Sequence, residues 1–341
     1  MLSLKDVKTR KDFAVFLGIE LKLLTYILYH IKVENLYTTF EIPKKNGGTR
    51  IINAPDKKIL KKIQNRLMNK LYNYQNKIKK DENIKIVPLT LEIGDYQVID
   101  DEKFDQKDFI KRMAESKMGP KSACPSPDAF KEALECDTDM AFIVTLSEHL
   151  SGSYQSAEIG KKLYEEEYEK KDILVLSSRS ASAGQYRLML ELDKLCKEGL
   201  SFEEISKRMI KLRDEMKTYF VLESLDTLRK NGRLSAVSAF IASALNIKPV
   251  MGAVDGVIVK KDQQRGMQKA LVKMVELAIS EAGENTSEKI VCITHINNEE
   301  RGESVAKLFR DSNKFKDVKV VNGAGVATLY AGDGGIVLAI G

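Results

Sequence analysis

The sequence predicts an α/β body preceded by a small helix–hairpin–helix extension, and three observations predict it. Apolar runs of strand length, AFIVTL, DILVL and KIVCIT, alternate with amphipathic runs of helix length such as SAEIGKKLYEEEYEK and QYRLMLELDKLCKEG. That is the texture of α/β architecture with parallel strands. Before residue 84 the texture differs, with two amphipathic runs flanking an Asn-Gly-Gly turn. Charge divides at the same place: residues 1–83 carry 18 Lys plus Arg against 8 Asp plus Glu, and the remainder carries 37 against 41. The net charge of +6 over 341 residues is thus the sum of a basic segment and a mildly acidic body.

A chain of this length, 43% hydrophobic, is neither a linear-motif protein nor a disulfide miniprotein. Its longest apolar stretches are broken by Lys, Glu or Asp short of the ~18 residues a bilayer span requires. The start MLSLKDVKTRKDF has no apolar core of signal-peptide type. A cytoplasmic chain without a membrane span is expected. Cys124, Cys136, Cys196 and Cys292 lack the paired spacing of a zinc site and are expected as mostly buried thiols, with Cys124 in a polar loop standing apart.

Taken in order, Phe16, Ile19, Leu23, Ile27 and Ile31 recur at helical spacing and predict one amphipathic helix of about twenty residues. LYTTFEIPKKNGGTRIINAP alternates apolar and polar residues around Asn46-Gly47-Gly48 and predicts a hairpin. Leu60, Ile63, Leu67 and Leu71 then form the apolar stripe of a basic helix, and the polar run up to Asn83 has the composition of a linker. In the body, Ser126 before Pro127 and Asp128 reads as a helix cap, and a helix is expected to start near Ser153. LRKNGRLS, holding Arg229 to Arg233, reads as a helix stop whose charges could equally serve a protein partner. His295, closing KIVCITH, reads as a structural residue.

The stretch IPKKNGGTRIINAPDKKILKKIQNRLMNKL resembles the fingers region of retron-type and group II intron-type reverse transcriptases, over about the first 80 residues. The resemblance implies nucleic-acid contact by Lys44, Lys45, Arg50, Lys57, Lys61 and Arg66, each releasing counterions from phosphates; the alternative is a solvated charged face. A polymerase also needs paired palm aspartates. No YxDD motif exists, and the only adjacent pair, Asp100-Asp101, lies in another context. Weak RNA binding without polymerisation is what this segment predicts.

From about residue 84 onward, PKSACPSPDAF, TLSEHLSGSYQSA, SSRSASAGQ, KTYFVLESLDTLRKNGRLS, LNIKPVMGAVDGVI and QQRGMQKAL resemble the DegV family of fatty-acid-binding proteins. The resemblance implies two α/β lobes, 84–220 and 221–341, holding a long-chain fatty acid such as palmitate between them for a separate fatty acid kinase. No metal or other cofactor is implied, and the chain itself is expected not to be an enzyme. It lacks the family's first strand and first helix, so an exposed sheet edge or apolar face is expected in the first lobe.

The residues fit such a ligand. Ser151 and Gly152 precede a helix start, where unpaired N–H groups and the dipole favour a carboxylate; the alternative is that Ser151 or Ser153 only caps that helix. Ser122 falls where the family usually has a Thr whose hydroxyl meets the carboxylate. Arg265 matches the family arginine thought to meet the head group once phosphorylated, and its guanidinium geometry suits a phosphate. Tyr330 stands in place of the usual head-group His; a phenol still donates a hydrogen bond but is no cation near neutral pH. Neither a GxSxG elbow nor a GxxxxGK loop is present, so catalysis has no motif to rest on. Two alternatives stay open: a nucleic-acid-binding module with a vestigial lipid-binding body, and a chimera of unrelated pieces without joint function.

Overall fold

The computed structural model describes residues 8–17, 19–29, 37–43, 49–55, 84–136, 138–168, 171–234 and 246–341; over 37–43 and 49–55 it describes the backbone. The chain divides into two compact units, Met1–Lys85 and Ile86–Gly341.

In the first unit the single long helix expected from the apolar spacing is two helices, α1 (Arg10–Leu17) and α2 (Leu21–Tyr29). Thr9 and Asp12 form a reciprocal cap at the start of α1, Asp12 N–H to Thr9 Oγ1 at 3.2 Å and Thr9 N–H to Asp12 Oδ2 at 2.9 Å. The Ile19 N–H closes α1 by reaching back to the Ala14 carbonyl at 3.0 Å. Gly18, a poor helix former that the spacing argument passed over, separates the two helices in sequence. The predicted hairpin is present: β1 (Tyr37–Pro43) pairs antiparallel with β2 (Thr49–Pro55), from Tyr37↔Pro55 to Pro43↔Thr49. The basic helix predicted after Pro55 lies outside the described residues.

Among the described residues the second unit contains three sheets. A small antiparallel one, in order β4-β3-β5, is formed by β3 (Thr90–Ile93), β4 (Tyr96–Ile99) and β5 (Lys121–Ala123), with α3 (Gln106–Glu115) between β4 and β5 in sequence. After α4 (Pro127–Leu134), β6 (Met140–Thr145) and β7 (Asp172–Ser177) pair in parallel around the crossover helix α5 (Ser153–Glu167), and α6 (Ala183–Lys197) and α7 (Phe202–Glu215) follow. Alternate strand residues face opposite layers: Ala141, Ile143, Ile173 and Val175 pack with α4 and α5, and Phe142, Val144, Leu174 and Leu176 with α6 and α7. Among the described residues β6 has no strand on its other edge, and Ile86 is 79% exposed.

The third sheet has the order β10-β9-β8-β13-β11-β12. Its strands are β8 (Lys217–Val221), β9 (Ile247–Val254), β10 (Val257–Arg265), β11 (Ile290–His295), β12 (Asp317–Asn322) and β13 (Ile336–Ile340). Only β11 and β12 run parallel here, so the expectation of parallel strands is corrected to a mixed sheet. For the β9–β10 pair the reason is local: Asp255 and Gly256, at φ +47° and +80°, form a tight turn that returns the chain directly from β9 into β10. Tyr219, Val221, Ile336, Leu338, Val291 and Ile293 pack on one face with α9 (Met267–Ser280) and α10 (Glu299–Asp311). Phe220, Val337, Ala339 and Cys292 point the other way. There they join Ala183 and Tyr186 of α6, Leu228 of α8 (Asp226–Lys230), and Tyr330 and Ala331 of α11 (Gly325–Ala331). This second apolar layer lies between the sheet and the segments that carry the candidate site.

Candidate functional site

The two predicted helix starts place the first site residues. Ser126 caps α4, accepting the Ala129 N–H at 3.2 Å with Pro127 following, which holds the preceding Ser122–Pro125 segment at the start of that helix. Ser151 accepts the Ser153 N–H at 3.2 Å and pairs with the Ser153 hydroxyl at 2.9 Å, but the N-cap position is Gly152 without a side-chain cap bond, so neither serine is the helix cap weighed for it. A Cβ on Gly152 would stand 3.2 Å from Cys124 Sγ, which puts the two helix starts side by side.

Across from them, the Tyr330 hydroxyl of α11 lies 3.0 Å from the Ser122 hydroxyl of β5. Arg233 joins the groups: its guanidinium sits 5.7 Å from the centre of the Tyr330 ring, and its Nε donates to the Leu150 carbonyl at 3.2 Å, just before Ser151. Arg233 is held by the predicted helix stop. Its own N–H returns to the Leu228 carbonyl at 2.8 Å, with Gly232 at φ +76° in the position such an ending reserves for glycine. Asn231 donates from Nδ2 to the Pro120 carbonyl at 3.0 Å, tying this turn to the strand of Ser122.

Arg233 thus links Tyr330, itself paired with Ser122, to the Leu150 carbonyl that precedes Ser151 and Gly152, and Leu150 and Tyr330 also pack on the inter-layer apolar cluster. Three hydroxyls, one guanidinium and a helix start at the rim of an apolar layer form an environment suited chemically to an anion with an apolar tail. Arg265 is not part of this group. It is exposed at the end of β10 opposite Ile247, and forms no side-chain hydrogen bond or ion pair among the described residues. Register nonetheless puts Arg265 at the same strand end of the six-stranded sheet as Val221, Ile336 and His295.

Lys44, Lys45, Lys57, Lys61 and Arg66 lie outside the described residues, and of Arg50 only its place on β2 is described. Sequence reasoning assigned Arg233 to a turn; nothing local signals its contact with Leu150, 83 positions away. Of the cysteines, Cys292 is buried, Cys136 is half-buried and Cys124 is exposed in the loop that set it apart, while Cys196 differs from expectation in being exposed, at a helix end. His295 is 7% exposed and its Nδ1 accepts the Asn298 N–H at 3.2 Å, the structural role expected of it. A polar cleft of about 230 Å³ lies elsewhere, lined by Arg179, Arg213, Lys217, Lys261 and Glu281 among others and by none of the site residues. No helix among the described residues is long and apolar enough to cross a membrane.

Comparison with known proteins agrees with the fold. A family model described as "Uncharacterised protein, DegV family" matches residues 71–340, beginning upstream of the seam expected near Asn83. A DegV domain-containing protein of Streptococcus gordonii is 32% identical over 259 residues, 76% of this chain and 91% of its own length. Among solved structures, a DegV family protein from Ruminococcus gnavus with vaccenic acid superposes with a TM-score of 0.74 at 43% identity, covering 77% of this chain and 94% of that one. The Streptococcus pneumoniae fatty acid kinase (Fak) B3 protein loaded with linoleic acid superposes with a TM-score of 0.68 at 31% identity, covering 74% and 89%. With the family model spanning both the small sheet and the six-stranded sheet, the chain belongs to the DegV family.

Proposed function

We propose that the protein binds a long-chain fatty acid, with its carboxylate among Ser122, Tyr330, Ser151 and Gly152 beside Arg233 and its acyl chain along the inter-layer apolar cluster. The observation that carries this reading is the 3.0 Å Ser122–Tyr330 pair at the rim of that cluster, where Leu150 and Tyr330 are at once polar-site and apolar-layer residues. Burial of an acyl chain at ~0.8 kcal/mol per methylene gives about 10 kcal/mol for a long chain, sufficient for retention without chemistry. Relatives that carry vaccenic and linoleic acid support the ligand class, and the fatty acid kinase (Fak) B3 relative supports a role in presenting the bound acid to a kinase. In this reading the protein is a carrier rather than an enzyme, works in the cytoplasm, and uses Arg265 for the phosphorylated head group.

Native mass spectrometry of the purified full chain tests it. Co-purifying fatty acid is expected in the wild type and loss of it in the Ser122→Ala/Ser151→Ala double variant. A wild type that carries no acyl ligand and takes up no palmitate after delipidation would remove the carrier function.

For residues 1–83 we propose separately a weak RNA contact, on the ground of the segment's charge alone, 18 Lys plus Arg against 8 Asp plus Glu. RNA binding by the full chain that falls steeply between low and moderate salt is its expected signature. No binding at low salt would end it.

A further inference from the structure

Ser122 and Tyr330 are 208 positions apart in the chain, and one hydrogen bond does not fix a helix. The same small sheet that carries Ser122 also grips the start of α11. Asp100, directly after β4, directs its carboxylate at the first turn of that helix: Oδ1 accepts the Gly325 N–H at 2.6 Å and Oδ2 the Val326 N–H at 2.8 Å. These donors have no partner within a helix start and carry its positive dipole end. The Asp100 N–H is itself tied to the Leu89 carbonyl at 2.9 Å. A Cβ on residue 325 would lie 2.7 Å from Asp100 Oδ1 and 2.5 Å from Leu91 Cδ1, so only glycine admits this approach.

Gln106 of α3 adds a second hold. Its Nε2 donates to the Gly323 carbonyl and to Thr328 Oγ1, both at 2.8 Å, and its Oε1 accepts from Asn322 Nδ2 at 2.8 Å. Burial lifts the Asp100 carboxyl above the usual carboxylate range, ahead of the opposing effect of the two N–H bonds.

We propose that Asp100 is a positioning residue for the head-group pair: by holding the first turn of α11 it sets the Tyr330 phenol against Ser122. The circuit closes on itself, from Ser122 on β5 through the β5–β3 and β3–β4 pairings to Asp100, across to α11, and back through Tyr330. The assignment of a ligand to this pair rests on the fatty-acid reading above; the positioning itself does not.

The test has two readouts on the full chain. With 3-fluorotyrosine incorporated at position 330, the ¹⁹F resonance of the ligand-free protein is expected to move in Ser122→Ala, and to move to the same place in Asp100→Ala with no further change in the double variant. Asp100→Asn, which keeps one acceptor oxygen, is expected part-way and serves if Asp100→Ala does not fold. Palmitate affinity of the delipidated protein should fall about tenfold in Asp100→Ala, a coupling of the size seen between groups sharing a network, and no further when Tyr330→Phe already has removed the phenol. A resonance left at its wild-type position in Asp100→Ala, or in Asp100→Asn where that is the variant that folds, would overturn the positioning role. So would losses of affinity that add in the double variant. A wild type that binds no palmitate overturns the carrier reading and leaves the ¹⁹F result to decide on Asp100.

Discussion

The six-stranded sheet and the β6–β7 pair of the 86–341 unit follow the same apolar alternation and reach different degrees of burial. In the six-stranded sheet β13 has a strand on each side and all five of its residues are buried, three toward one layer and two toward the other. In the β6–β7 pair, β6 has one strand partner among the described residues, and all its residues but Thr145 are only half-buried. Alternation decides which face a side chain takes; depth depends on helix cover as well as on strand neighbours, since β7, with the same single strand partner as β6 among the described residues, has four of its six residues buried. Tyr330 stands on the helix that leads into the closed sheet, while Ser151 and Gly152 follow the half-open one.

The difference predicts unequal costs for equal truncations. Leu338→Ala, at the centre of β13 and fully buried, is expected to cost about 3 kcal/mol of unfolding free energy. Ile143→Ala on half-buried β6 should cost about 1 kcal/mol by the same mechanism. Urea denaturation of both variants at unchanged m-value measures the gap, and equal losses would break the comparison. Gly160→Ala falls between them, at about 2 kcal/mol. A Cβ there would lie 2.6 Å from the Pro127 carbonyl oxygen and 2.7 Å from Phe130 Cβ, so α4 and α5 must part. A neutral outcome would mean that the helix layer of the half-open sheet is as yielding as its strand edge.

Much of this was legible in the sequence because it is local. The hairpin around Asn46-Gly47-Gly48, the starts of α4 and α5, and the stop at Gly232 each follow from side chains within a few residues of the feature. Ser122, Ser151 and Tyr330 were legible through family resemblance. The roles of Arg233 and Asp100 were not, since each acts on a segment 83 or more positions away through backbone groups that leave no mark in a side-chain pattern. The mixed sheet was hidden for a related reason: strand-length apolar runs look alike whichever way their neighbours run.

His295 gives a smaller effect on the closed side. Burial holds its pKa below the ordinary value, against the opposing influence of Glu299 and Glu303. The unfolded chain then binds the proton more readily than the native one, so stability is full above the unfolded pKa of about 6.5 and declines as pH falls from there toward the lower native value. The melting temperature should therefore drop between pH 7.5 and pH 5, and His295→Asn should flatten that part of the profile. An unchanged slope in the variant would assign the loss to other groups.

The cysteines report on the two sides with the smallest perturbation. Cys292 is buried on β11 and burial pushes its thiol up to about 12, so both access and thiolate content keep it unreactive until the closed sheet unfolds. Cys124 is exposed two residues after Ser122, with its sulfur against Gly152, where the proposed carboxylate would sit. In a Cys196→Ser background, labelling with a disulfide reagent should modify Cys124 in the delipidated protein and be slowed by palmitate, while Cys292 stays silent with or without it. If palmitate leaves the Cys124 rate unchanged although it binds, the head group lies away from Gly152, and the half-open side contributes packing to the site rather than contacts.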